Sequence, residues 1–138
     1  MIATGWSQDS LPQNDTSQML VGSWYGERKH SGQFADKAFN HRRWLIVHRA
    51  DGTAQDIQRY YLDDKIQGEF IEQYKWGVDN NVYWNVCQKK IRNGVDTSCS
   101  DRSEYQVLSV TSREFRYRSL KSHIEYSVVR VPTDFQLP

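Results

Sequence analysis

The sequence predicts an all-β chain: an eight-stranded antiparallel up-and-down barrel with a short helical lead-in. Three observations carry this. From Val21 onward the chain divides into eight short runs rich in Val, Ile, Tyr, Trp and Phe, each bounded by turn-forming residues. The connections are mostly short, which makes sequence neighbours antiparallel neighbours. Eight such strands either split into two stacked sheets or close on themselves. Closure is the expectation, because it hides both sheet edges and encloses either packed side chains or one small ligand.

Taken in order, residues 1–14 read as a polar, flexible segment and 15–138 as one barrel domain. "NDTSQML" suits a turn or two of helix capped by Asp15, with Met19 and Leu20 covering a barrel end. The first run is Gly22–Lys29. Ser31–Asn40 lacks alternation, and Phe34, Ala35, Ala38 and Phe39 would share one side of a short helix. Runs two and three, Arg42–Arg49 and Thr53–Leu62, meet at Asp51-Gly52, a type I′ signal. Runs four and five, Gly68–Trp76 and Asn81–Lys90, meet at Asp79-Asn80-Asn81. Asn93-Gly94 follows, then Glu104–Val110, Glu114–Leu120 and His123–Val131.

Gly22-Ser23-Trp24 opens the first strand, and Arg130 sits in the last, within "YSVVRV". With the single eight-strand meander, these residues resemble the lipocalin-like or calycin superfamily over residues 15–131. The turn Thr111-Ser112-Arg113 stands where that family carries Thr-Asp-Tyr, which marks an outlying member. The resemblance implies that Trp24 plugs the closed end while Arg130 packs across its ring. It also implies that Ser31–Asn40 is a lid over the open mouth, with Phe34 and Phe39 beneath it. A guanidinium on an indole face gains about 0.5–2 kcal/mol and brings donors for strand-end carbonyls.

If Trp24 points inward, alternation sends Gly22, Gly26 and Arg28 in and Tyr25 and Glu27 out. With Arg130 inside, Ile124, Tyr126 and Val128 follow it. Elsewhere the inward pairs are Trp44 and Ile46, Phe70 and Tyr74, Trp84 and Val86, Leu108 and Val110, and Phe115 and Tyr117. His48 shares the face of Trp44. Glu72 shares that of Phe70, either paired with Arg28 or Arg59 or offering a carboxylate to a ligand.

Composition narrows the function. The chain has 138 residues, one domain's worth, with 38% apolar and 13% aromatic residues, so bulky rings supply much of the burial. Eighteen Lys and Arg against 17 Asp and Glu argue against nucleic acid, although "KKIR" and "REFRYRSLK" interleave cations with rings. No apolar run is long enough for a transmembrane helix. His30, His41, His48 and His123 lack metal-ligand spacing, and no nucleophile elbow is present.

Cys87 and Cys99 fall opposite each other if Arg92-Asn93-Gly94 is a three-residue loop, whereas a two-residue Asn-Gly turn would move them apart. A bridge would indicate a periplasmic or secreted home after removal of a leader; otherwise the location is cytoplasmic.

The expected function is a monomeric, non-enzymatic binding protein without metal or cofactor, taking a small hydrophobic or amphipathic molecule. Its cavity would be lined by Trp44, Ile46, His48, Phe70, Glu72, Tyr74, Trp84, Tyr117 and Tyr126. The alternative is a filled barrel acting through its outside, as an interaction, inhibitor or structural envelope module.

Overall fold

The structure, a computed structural model, describes residues 12–138, with side chains from Thr16 onward. A helix, α1 (Pro12–Leu20), precedes eleven strands. These are β1 (Gly22–Arg28), β2 (Gly32–Phe34), β3 (Lys37–Phe39), β4 (His41–His48), β5 (Thr53–Leu62), β6 (Lys65–Asp79), β7 (Val82–Arg92), β8 (Val95–Ser98), β9 (Arg102–Val110), β10 (Glu114–Ser119) and β11 (Glu125–Val131).

The strands pair antiparallel in the order β1-β4-β5-β6-β7-β9-β10-β11, and β11 returns to β1, so the sheet is a closed eight-strand barrel. The join aligns Trp24 with Arg130 and Ser23 with Val131. β8 extends the sheet beyond β7, and β2 pairs with β3 alone.

Turn chemistry sets the registers. Asp63-Asp64, Asn80-Asn81 and Asn93-Gly94 all have positive φ at both central residues, the type I′ pattern whose twist matches a hairpin. Asp51-Gly52 is not such a turn. Only Gly52 is left-handed there, and Arg49 closes the loop by donating to and accepting from its neighbours, Thr53 O and Gly52 N. Asp51 Oδ1 accepts from both Thr53 N and Oγ1, so the turn is fastened by the acid side chain.

Three bulges interrupt the alternation, skipping Gln67, Gln88 and Leu108. The last exchanges the inward position of Leu108 for Val107, which is buried, while Val110 stays on the core side.

Other expectations are corrected. The helix starts at Pro12, so Asp15 lies inside its first turn rather than capping it, and Pro12–Asn14 belong to it rather than to a flexible segment. Residues 1–11 of that segment lie outside the described residues. Met19 is exposed, and Leu20 alone of the two covers the barrel end. The segment expected to be a helical lid is a β-hairpin turning at Ala35-Asp36. Three-residue strands place Phe34 and Phe39 on one face without needing helical spacing.

The lower half of the barrel is packed solid. Leu20, Trp24, Ile46, Ala54, Tyr74, Trp76, Val78, Tyr83, Phe115 and Val128 form one contiguous buried cluster that continues upward through Val107, Tyr117 and Trp44. Outside, the segment after β11 lies back across β1, β4 and β5. Phe135 packs on Tyr25 with ring centroids 5.2 Å apart, and the carbonyls of Leu137 and Pro138 accept from Arg59 and Tyr61. This strap explains why outward-facing Leu45 and Tyr61 are buried.

Candidate functional site: the open end of the barrel

The closed end fixes where a site can be. Arg130 lies over Trp24, 4.3 Å from the ring centroid, and its guanidinium donates to the carbonyls of Met19, Val21 and Ser112. Gly22 makes this approach possible. Its φ is +126°, and a Cβ there would sit 2.5 Å from Arg130 Nη1. Arg130 itself stays solvent-exposed beneath the ring rather than pointing into the barrel.

Leu20 O, at the end of α1, accepts from Trp24 Nε1 at 2.9 Å and meets His48 Nδ1 at 2.9 Å. A carbonyl only accepts, so Nδ1 carries the proton and Nε2 accepts from the Tyr83 hydroxyl at 2.8 Å. Tyr74 O–H in turn lies 3.4 Å from Tyr83. Burial pushes the His48 imidazole down to about 4, so it is neutral. His48 therefore belongs to the floor, not to the mouth.

The upper half differs in kind. Trp44, Tyr105, Tyr117 and Tyr126 form a wall: Tyr117 and Tyr126 stack at 5.4 Å, and Trp44 and Tyr105 stand edge-on to Tyr126 at 6.1 and 6.4 Å. Gly26 lets the Trp44 indole lie flat against β1, because any Cβ would collide with the ring at 2.5 Å.

Facing these rings are polar groups from β5, β6 and β7. Across β5 and β6 the bulged register sets Asp56 opposite Glu72 and Gln58 opposite Phe70, and across β6 and β7 it sets Lys90 opposite Glu72. Along β5 a ladder runs from the Tyr60 hydroxyl to Gln58 Oε1 (3.1 Å) and from Gln58 Nε2 to Asp56 Oδ2 (3.0 Å). The ladder ends there. Asp56 Oδ1 is buried without a hydrogen-bond partner.

Burial pushes the Asp56 carboxyl up to about 7, with Glu72 adding to the rise and Arg42 opposing it. Glu72 is raised too, by burial, against the pull of Lys90. Lys90 itself bridges to Asp101 at 3.5 Å.

Three clefts open at this end. One of about 410 Å³ lies beside Arg28, Trp44, Ile124 and Tyr126. A second, of about 470 Å³, runs from Asp101 to Tyr105 and along Ser119–Lys121. The third, about 430 Å³, is bounded by Phe70, Lys90, Arg92 and Val95. The β2–β3 hairpin covers one sector. Phe34 stacks on Tyr60 at 4.3 Å, Phe39 tilts against it at 4.8 Å, and Arg92 reaches over Phe34.

Of the residues predicted to line a cavity, Trp44, Phe70, Glu72 and Tyr126 gather at the open end, with Tyr117 just beneath. Ile46, His48 and Tyr74 are sealed in the lower half. Trp84 is on the outside. The Asn80-Asn81 turn pairs Val78 with Tyr83 and Gly77 with Trp84, so Tyr83 takes the inward place and Val86 goes outward with Trp84. Trp84 instead lies over Gly77, donates to Asp79 at 3.1 Å and carries Arg102 on its face.

Ile124 precedes β11 and sits half-exposed on the rim. Glu72 forms no ion pair with Arg28 or Arg59; Arg59 faces outward and bridges to Glu69 at 2.9 Å. The sequence reading missed Asp56, Gln58 and Tyr105. An acid in the middle of a strand, on the face of Ala54 and Tyr60, is the signal that marked Asp56, since Asp is depleted in strands.

Cys87 and Cys99 are bridged, with Cα atoms 5.4 Å apart. The loop is nonetheless the two-residue Asn93-Gly94 turn, with Arg92 opposite Val95. β8 stops at Ser98 and β7 bulges at Gln88, and these two departures bring the sulfurs together despite the slipped register. The sulfurs lie near Asp101, but being bonded to each other they offer no thiolate to a metal.

Comparison with protein-family models gives no match, and comparison with curated proteins finds none similar to this chain.

Proposed function

We propose that this chain is a non-enzymatic, lipocalin-like binding protein that holds a small, ring-bearing amphipathic molecule in the open half of its barrel. One observation carries the reading. In the floor, the described polar groups are matched, as in the chain from Leu20 through His48 to Tyr83, whereas at the open end a buried carboxyl oxygen, Asp56 Oδ1, has no partner. Buried polar atoms are rarely left so. The adjoining aromatic wall and the clefts beside it give a ligand π faces, polar tips and room. The β2–β3 hairpin suits a lid, because Phe34 and Phe39 rest on Tyr60 and Phe70 at the mouth while Asn40 at its foot is anchored to Tyr61 and Asp63. The Cys87–Cys99 bridge supports an oxidising compartment, periplasmic or secreted.

The filled lower half favours a second reading, a barrel that works through its outer surface. Titration with the neutral fluorescent probe N-phenyl-1-naphthylamine separates the two. The proposal expects saturable one-to-one enhancement with quenching of Trp emission, reduced at least ten-fold in affinity by Trp44→Ala. No response at any probe concentration favours the outer surface.

A further inference from the structure

We infer that the ligand of this open end carries a protonated amine and that Asp56 is its counter-ion. The inference rests on the binding reading above and adds the ligand's chemical class.

Charge and geometry decide it. The groups facing Asp56 come from the surrounding strands: Arg42 from β4, Gln58 and Tyr60 from β5, Glu72 and Tyr74 from β6, Tyr83 from β7, Tyr105 from β9 and Tyr117 from β10, with Lys90 of β7 facing Glu72. Among the described residues, no Arg or Lys forms an ion pair with Asp56 or Glu72. Arg42 is turned to the Trp44 face, 5.0 Å from its centroid. Lys90 is engaged by Asp101. Asp56 and Glu72 thus stand opposite each other in the mouth with no cation bonded to either, while Arg28 and Arg92 lie at the rim clefts.

The open valence is an acceptor, Oδ1, because Gln58 already occupies Oδ2. An anionic ligand would meet two carboxylates, and a neutral one would leave both without a counter-charge. A metal ion would find two carboxylates with phenols and no third strong ligand among the described residues. An organic ammonium meets the acceptor, cancels the charge and lies among π faces that attract cations. Its ring would lie in the cleft beside Trp44, Ile124 and Tyr126. The class is therefore an arylalkylamine or a comparable ring-bearing amine.

Isothermal titration of the whole protein with phenethylamine and with 2-phenylethanol, which keeps the ring and lacks the charge, tests this. At pH 8 the amine is expected to bind at least ten-fold more tightly than the alcohol. Asp56→Asn is expected to cost the amine ten-fold or more and to change the alcohol less than two-fold, which also reports that the variant is folded. On the wild type alone, amine affinity should fall about ten-fold from pH 8 to pH 6 as Asp56 takes up its proton. Titrations at pH 7 in buffers of different ionisation enthalpy should show proton release.

Equal binding of amine and alcohol with no proton release overturns the inference and leaves the binding reading standing. Tighter amine binding that Asp56→Asn does not weaken overturns the role of Asp56. If neither compound nor the naphthylamine probe binds, the reading fails and the inference with it.

Discussion

Asp56→Asn is expected to make the protein more stable at pH 8, by up to about 4 kcal/mol. The carboxyl's ordinary pKa is 3.8 and burial raises it to about 7 in the fold. Between those values the folded state holds a proton that the unfolded chain has lost, so stability falls as pH rises through this window and is flat above it. Three units at about 1.4 kcal/mol each give the ceiling, and any water reaching the carboxyl lowers it. Asparagine keeps the shape and the Gln58 contact region and cannot ionise.

The assay is urea unfolding of wild type and variant at pH 4, 6 and 8, read as the difference between the two proteins. The difference matters because His48 acts in the opposite sense. Its pKa falls from 6.5 to about 4, so its contribution is complete above 6.5 and is lost as pH drops, by about 3 kcal/mol. The two slopes nearly cancel in wild type, and subtraction removes the His48 part. A variant that is less stable than wild type at pH 8, with a gap independent of pH, refutes the reasoning.

Other outcomes follow from the same geometry. Tyr83→Phe leaves His48 Nε2 buried without its donor and should cost about 1–3 kcal/mol in urea unfolding at pH 7. Arg130→Ala removes the ring contact and three carbonyl partners and should cost about 2–4 kcal/mol, with Arg130→Lys intermediate, since one ammonium cannot reach all three. Reducing Cys87–Cys99, 12 residues apart, should cost about 2–3 kcal/mol and speed hydrogen exchange in β8, which has only β7 to hold it. Phe34→Ala should speed probe association without destabilising the barrel core, because Phe34 packs on Tyr60 at the mouth and outside the main cluster.

The closure of the barrel was legible because it depends on few residues with one job each. Trp24 supplies a ring large enough to plug the end, Gly22 the room beside it and Arg130 the donors that strand-end carbonyls require. The eight long strands were legible from β-branched and aromatic runs, since each buries one face.

What stayed hidden depends on register. A two-residue turn at Asn80-Asn81 instead of a longer loop reverses which of Tyr83 and Trp84 faces inward. The bulges at Gln67 and Leu108 shift alternation without any local sign in sequence. The first is what brings Asp56 opposite Glu72, so the carboxyl pair could not be read from the Leu62–Lys65 turn alone. The β2–β3 hairpin read as a helix because three-residue strands are shorter than the window over which periodicity is measurable.

The central claim is that the barrel is solid below and accommodating above. Indole N–H resonances test it directly, because the described tryptophans sample every region: Trp24 and Trp76 the packed interior, Trp84 the outer face and Trp44 the aromatic wall at the mouth. On titration with N-phenyl-1-naphthylamine, the Trp44 resonance is predicted to move to saturation while the other three stay in place. Movement of Trp84 with Trp44 unchanged, or of none at all, contradicts the account.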